Sequence, residues 1–128
     1  MPDVFTVEII TPDQTILKSE ANEVVIPSFE GQMGILKDHI PLITFLRPGI
    51  ILIKNQEEKK YFVEEGTIEF SNNNLLILTS SAKNLKNFDK KTIDDLINQA
   101  ETELKDNSTD KEKYIASYKI DTLKEINQ

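Results

Sequence analysis

Cysteine is absent from the 128 residues, and the chain carries one arginine, Arg47, and one histidine, His39. Without cysteine there is no disulfide framework and no thiolate zinc site, and the chain fits a reducing compartment. Of the fifteen basic residues only Arg47 is arginine, so a bidentate phosphate clamp is not expected. No apolar run approaches the roughly 20 residues that a membrane-spanning helix needs. The opening MPDVFTVEIITPDQ lacks a basic region followed by an apolar core, so no secretory signal is expected. G-x-x-x-x-G-K and H-E-x-x-H are both missing, and Gly31-Gln-Met-Gly34 is too short to cradle a phosphate. Basic excess is missing too. The net charge is −7 and the pI about 4.7, which argues against nucleic acid or an anionic membrane surface as a direct ligand.

What is present divides into two patterns. Apolar residues make up 38% of the chain, enough for one core. From residue 3 to 83 the reading is β. VFTVEII, QTILKSEA and NEVVIPS are short runs rich in β-branched residues, separated by turn signals such as Thr11-Pro12-Asp13-Gln14. Ile35-Leu36 and Pro41 to Leu46 flank Lys37-Asp38-His39, and Ile50 to Lys54 follows the Pro48-Gly49 turn. In KKYFVEEG, Tyr61 and Val63 share one face and Phe62 takes the other. Asn72-Asn73-Asn74 is a turn signal because asparagine tolerates positive φ. LLILTSSA reads as a strand buried on both faces. Many short strands with frequent turns predict an all-β domain, a sandwich or barrel.

Near Asn84 the period changes. Ile93, Leu96, Ile97, Ala100 and Leu104 form one helical stripe. Asp89 is placed as its N-cap, with Phe88 able to staple onto Ile93. Lys105-Asp106-Asn107-Ser108 breaks the pattern, and Thr109 with Glu112 reads as a capping box. A second helix, about 110 to 126, aligns Ala116, Ile120, Leu123 and Ile126, widened by Tyr114, Ile115 and Tyr118. Two helices with a short polar connection predict an antiparallel hairpin. The expected organisation is a β domain over 1–84 and a two-helix hairpin over 85–128. Short helices lean on tertiary packing, so the hairpin must rest on the β domain or on a partner.

Catalytic chemistry has little to stand on. His39 beside Asp38 is the one pair that could orient a general base, but sequence neighbours often point apart and no serine stands in a nucleophile-elbow context. Glu57-Glu58, Glu64-Glu65 and Asp94-Asp95 read as solvated carboxylates. No catalytic residue, no metal site and no cofactor are expected.

The stretch GQMGILKDHIPLITFLRPG, residues 31–49, carries a different signal. It resembles the segment G-E-x-G-I-L-P-x-H-x-P-L-x-T-x-L-x-P-G of the epsilon subunit family of F-type ATP synthases, the bacterial type equivalent to the mitochondrial delta subunit. Gly31, Gly34, Ile35, Leu36, His39, Pro41, Leu42, Thr44, Leu46, Pro48 and Gly49 match. VEIITPDQTIL is similar to the family's first hairpin, and NEVVIPSFEG to the strand before the signature. FVEEGTIEFSNNNLLILTSSA resembles F-x-V-x-G-G-x-x-E-V-x-x-N-x-V-x-I-L-x-x-x-A. The resemblance runs the whole chain. It departs at Gln32, where the family has Glu, at Lys37-Asp38, where the family has Pro before the histidine segment, and at Glu65, beside the retained Gly66.

The resemblance implies a ten-stranded β-sandwich followed by a helical hairpin. It implies a non-catalytic rotor subunit in the central stalk, joining the gamma subunit to the c-ring at the cytoplasmic face of the bacterial inner membrane, peripheral and without direct insertion. Ser28, Phe29, Glu30, Gly31, Gln32 and Met33 are then the expected loop on the c-ring, with Gly31 allowing close backbone approach. His39, Ile40, Pro41 and Leu42 are the expected gamma contact, with core packing the competing role for Ile40 and Leu42. Arg47 reads either as an interface anchor or as a solvated strand end. Through Lys111, Lys113, Lys119 and Lys124 the hairpin would reach the alpha and beta subunits and restrain ATP hydrolysis. Asp110, Glu112, Asp121 and Glu125 dilute those cations, so the restraint is expected to be weak. Some relatives bind ATP through I/L-D-x-x-R-A. Here Ile120-Asp121 is followed by Leu123-Lys124-Glu125, and no ATP site is expected. Two other readings compete: a free-standing β-sandwich adaptor whose hairpin captures a partner helix, and a small hydrolase built on His39.

Overall fold

The computed structural model describes residues 3–105 and 109–126. Ten strands come first: β1 Phe5–Ile10, β2 Thr15–Ala21, β3 Glu23–Ser28, β4 Gly31–Leu36, β5 Leu42–Leu46, β6 Gly49–Lys54, β7 Glu58–Val63, β8 Gly66–Ser71, β9 Asn74–Thr79 and β10 Ala82–Asn84. A 3-10 turn, Leu85–Asn87, leads into helices α1 Lys90–Lys105 and α2 Asp110–Ile126. Asp106, Asn107 and Ser108, the rest of the expected pattern break, lie outside the described residues. Among the described residues no helix is long and apolar enough to cross a membrane.

The strands run in the order β10-β7-β6-β3-β5-β8-β9-β1-β2, with β4 attached to β3. All pairs are antiparallel except β1 with β9. β3 is the corner. Glu23 to Val25 pair with Lys54 to Leu52 of β6, Ser28 pairs with Leu46 of β5, and β4 runs along its whole length. Period-two alternation points Val7, Ile9, Val24, Ile26, Ile51, Ile53, Ile68 and Phe70 into one sandwich core. Phe5 meets Phe70 edge-on, with ring centroids 5.6 Å apart.

The turns form for local reasons. Between Ser71 and its partner Asn74, Asn72 and Asn73 sit at φ 50° and 58°, the left-handed pair of a type I′ hairpin turn. Asp38 also sits at φ 65°. Its amide donates to Asn73 Oδ1 at 2.7 Å, and Asn73 Nδ2 donates to Asp38 Oδ1 at 3.0 Å. The β4–β5 connection is thereby tied to the β8–β9 turn.

Phe62 faces away from Tyr61 and Val63, which lie in the sandwich core. It joins a second apolar cluster with Ile93 and Leu123, bordered by Leu85, Phe88, Leu96, Ile97 and Ile126. This cluster docks the hairpin. The helices start as expected: Thr92 N donates to Asp89 Oδ1 at 2.7 Å, and Thr109 and Glu112 form the reciprocal capping box. Ala100 and Ala116 are fully buried.

Three expectations change. The segment from Ser28 to Met33 is not one loop. Ser28 closes β3, Phe29 and Glu30 form a two-residue turn, and β4 begins at Gly31. The strand expected to be buried on both faces is one-sided at its end: Leu75 and Ile77 are buried, while Leu78 is exposed because no described residue covers that part of β9. The glycines at 31 and 66 meet different local demands, and for Gly66, whose place suggested a turn, the demand is a close approach within the chain. A Cβ on Gly31 would meet nothing within 4 Å, so its need is conformational, φ +126°. Gly66 is required by close approach, since its Cβ would collide with the backbone of Leu78 and Thr79.

Candidate functional site

The residues between 28 and 49 form one rim of the sandwich. At the β3–β4 turn, Ser28 is buried and its Oγ donates to the Gly31 carbonyl at 2.7 Å. Phe29 N donates to Phe45 O at 3.2 Å, fixing the turn to β5. Met33 packs on the sandwich core, whereas Phe29, Glu30 and Gln32 face outward. Of the six residues expected in this contact, Ser28 and Met33 therefore hold the turn, and Phe29, Glu30 and Gln32 present it, with Gly31 making the bend.

The second expected group lies beyond β4. His39 N donates to Leu36 O at 3.1 Å, and its ring stands edge-on to Phe70 at 5.9 Å. His39 Nδ1 is 2.7 Å from the Ile40 carbonyl oxygen, which accepts when that nitrogen carries the proton. Asp38 is engaged by Asn73, so the Asp38–His39 pair that a general base would need is not assembled. Leu42 leans on the core, while Ile40 is 74% exposed and Pro41 is exposed. Among the described residues no group of three or more His, Asp or Glu side chains is placed to hold a metal.

One feature of this rim was not read from the sequence. Ile43 and Phe45 are 79% and 62% exposed, on the outer face of β5. Leu36 and Ile40 are exposed in and beside the β4–β5 connection, and with Leu78 beyond β8 the side chains of Ile43 and Phe45 make an apolar face. Its polar members are Thr67, opposite Phe45, and Glu69, opposite Ile43. The available signal was LITFL itself, apolar on both faces of a strand, although whether the hairpin covers its second face is not written in those residues.

The hairpin closes the other side. Arg47 sits over the Tyr118 ring at 4.3 Å, Tyr118 meets Tyr114 at 4.7 Å, and Tyr114 meets Phe29 at 5.6 Å. Arg47 is thus neither a free anchor nor a solvated strand end; it faces α2. A hydrogen bond with Tyr118 holds the Tyr114 phenol above the usual tyrosine range, with Arg47 opposing. Of the four hairpin cations, Lys111, Lys113 and Lys124 are exposed, but Lys119 is buried and paired with Glu64. A cavity of about 220 Å³ opens beside Arg47 and Tyr118, with Asp121 and Glu125 on its wall.

The fold and its rim define a class: a rigid β-sandwich with an uncovered apolar face, carrying a C-terminal helical hairpin docked by a small cluster of its own. Residues 4–85 match the family described as "ATP synthase, Delta/Epsilon chain, beta-sandwich domain", and the chain belongs to that family. The chain is 50% identical over 130 aligned residues to the ATP synthase epsilon chain of Pelagibacter ubique, an alignment covering 99% of this chain and 100% of that one. Among solved structures, a chain of the Euglena gracilis mitochondrial ATP synthase, in an OSCP/F1/c-ring assembly, superposes with a TM-score of 0.82 at 21% identity, covering 100% of this chain and 84% of that one. A chain of the Tetrahymena thermophila mitochondrial ATP synthase central stalk and c-ring superposes with a TM-score of 0.67 at 16% identity, covering 96% of each. At those identities the likeness is one of fold. The resemblance read from residues 31–49 is borne out, and the relatives are named as chains of a synthase complex.

Proposed function

We propose that this chain is a rotor subunit in the central stalk of an F-type ATP synthase, binding the gamma subunit and seated on the c-ring, with no bond-making of its own. The observation that carries the reading is the uncovered apolar face of Ile40, Ile43 and Phe45 on an otherwise well-packed sandwich. Exposed contiguous apolar surface of this kind marks an interaction site. The assemblies named for the structurally similar chains, a central stalk and c-ring and an OSCP/F1/c-ring complex, support the choice of partner.

In this reading His39, Ile40, Pro41 and Leu42, extended by Ile43 and Phe45, meet the gamma subunit. Phe29, Glu30, Gly31 and Gln32, supported from behind by Ser28 and Met33, meet the c-ring. Close packing of the sandwich lets torque pass by shape. Residues 1–84 form the seated body. Residues 85–128 form a regulatory hairpin that reaches the alpha and beta subunits and restrains ATP hydrolysis weakly, because it is held down on the body. The chain is peripheral, at the cytoplasmic face of the bacterial inner membrane, and the complex holds it there.

The test is binding of the purified chain to the gamma subunit. Ile43→Asp combined with Phe45→Asp is expected to weaken that binding at least a hundredfold while the sandwich still melts cooperatively. Undiminished binding sinks the reading of this face. Failure of the unmodified chain to bind gamma at all favours the free-standing adaptor. Removing residues 84–128 is expected to change ATP hydrolysis of the assembled enzyme by less than about tenfold, roughly 1.4 kcal/mol.

A further inference from the structure

We propose that β4 is a docking edge for a second copy of this chain. In free solution two β4 strands pair antiparallel about a two-fold axis, Gly34 opposite Gly34, with Lys37 of each copy beside Glu30 of the other. The inference goes beyond the rotor reading, and the pairing does not depend on it.

β4 has one neighbour. It pairs with β3 over all six of its residues, from Glu23↔Leu36 to Ser28↔Gly31, and among the described residues no strand takes its other edge. Pro27 fixes which backbone groups face out. It has no N–H, so Pro27 and Gln32 cannot form a hydrogen-bonded pair of the ladder. The hydrogen-bonded pairs are therefore Ser28–Gly31, Ile26–Met33 and Val24–Ile35. Pro27 O agrees with this phase, since it points away from β4 and accepts from Arg47 N at 3.0 Å. The amides and carbonyls of Gln32, Gly34 and Leu36 are left pointing away from β3. All three residues are exposed.

Such an edge is a template for another strand, and charge, proline or brevity usually guards it. β2 carries Lys18 and Glu20, and β10 has three residues. β5 is uncharged, but it has five residues and is joined to β3 at Leu46. β4, GQMGIL, has neither charge nor proline over six residues.

A second copy fits this edge in one register. Antiparallel pairing of Gln32 with Leu36 and of Gly34 with Gly34 engages every outward residue of both copies, and the two-fold makes the contact self-complementary. Leu36, 56% exposed, then lies against the Gln32 side chain of the other copy. Two glycines carry little register information, so the flanking charges must supply it. Exposed Glu30 and Lys37 lie at opposite ends of β4. In this register each Lys37 falls opposite Gly31 of the other copy, adjacent to its Glu30, and symmetry repeats the contact. Asp38 turns off the strand line at φ 65°, with its carboxylate accepting from Asn73. On the rotor reading, the paired edge covers Glu30 and Gln32, so a self-paired chain must part before it sits on the c-ring.

The test is self-association of the full chain, followed by sedimentation equilibrium from about 1 μM to about 1 mM. The mass should climb toward twice that of the monomer. Amide exchange should slow with concentration at Gln32, Gly34 and Leu36, and not at Ile43 and Phe45. Gly34→Pro removes an outward N–H and leaves the β3 ladder intact, so it should weaken association about tenfold or more, whereas Gly34→Ala should not. Glu30→Lys should also weaken it, and adding Lys37→Glu should restore it. Both of those residues are exposed, so the charge exchange decides the matter if Gly34→Pro melts low. A chain that stays monomeric throughout overturns the proposal. So does association that protects Ile43 and Phe45 instead, or a dimer indifferent to Gly34→Pro and Glu30→Lys. Protection of Gln32, Gly34 and Leu36 by gamma alone, without self-association, overturns the second copy as occupant. A chain that self-pairs but does not bind gamma supports the pairing and refutes the rotor reading.

Discussion

Replacing Phe62 by alanine separates the two packed bodies, and its outcome can be worked from the structure. Phe62 is buried, yet its ring lies outside the sandwich core, against Ile93, Leu123 and, edge-on at 5.9 Å, Phe88. Truncating a buried phenylalanine costs about 3–5 kcal/mol. The ring pair with Phe88 accounts for about 0.5–1.5 kcal/mol of such an effect. In an ordinary core that loss would fall on global stability. Here the ring belongs to the cluster that docks the hairpin, so the loss is expected to fall on that docking, shifting its equilibrium by about two decades per 2.8 kcal/mol. Native-state hydrogen exchange and urea denaturation of the full chain distinguish the cases. Phe62→Ala should collapse protection at Ile93 and Leu123 and leave the unfolding midpoint of the strands nearly in place. Ile77→Ala, on the inner face of β9, should lower that midpoint by the equivalent of about 2–5 kcal/mol. Equal losses of strand stability in the two variants would refute the division into two bodies.

Other perturbations follow from particular atoms. Gly66→Ala drives a Cβ to 2.8 Å from Thr79 Cα and onto the Leu78 carbonyl, backbone that cannot step aside. The cost should be about 1–3 kcal/mol, read as a lower thermal midpoint. Gly31→Ala should cost about 1–3 kcal/mol through its φ alone, since no atom stands in the way, whereas Gly34→Ala should be nearly neutral. Asp89 is held below the usual carboxylate range by hydrogen bonds from the Thr92 side chain and then the Thr92 backbone. Because its folded value is depressed, its capping contribution is full above the unfolded value and fades as pH falls below about 4. Exchange protection in the first turn of α1 should drop in acid for the parent chain and stay level for Asp89→Asn, which caps without titrating. A flat acid profile for the parent would count against the cap.

Much of the architecture was legible because the responsible interactions are local. Asn72 and Asn73 declare a turn that only left-handed-tolerant residues make easily, and the structure places both at positive φ. Asp89, Thr109 and Glu112 announce helix starts through bonds that span three residues. Tyr61, Phe62 and Val63 were correctly split between two faces, since a strand alternates whatever surrounds it. The exposure of Leu78 was missed, because alternation says which face a residue takes and not whether that face is covered.

The rim was less legible. Its glycines could be located, but Gly66 matters through β9, a strand distant in sequence until the β8–β9 hairpin folds back. From the sequence Arg47 reads as an interface anchor or a solvated strand end, and the structure stacks it on Tyr118. Lys119 looked like its fellow cations because the helix pattern carries no record of Glu64.

The amino-acid order alone therefore determined the elements, their caps and turns, the inward faces and the family signature, all of which depend on a few consecutive residues. Only the tertiary structure decided that Ile43 and Phe45 stay uncovered, that Phe62 serves the hairpin, and that Lys119 meets Glu64. Those outcomes depend on which distant surfaces come together, and burial belongs to the pair of surfaces rather than to either stretch of chain.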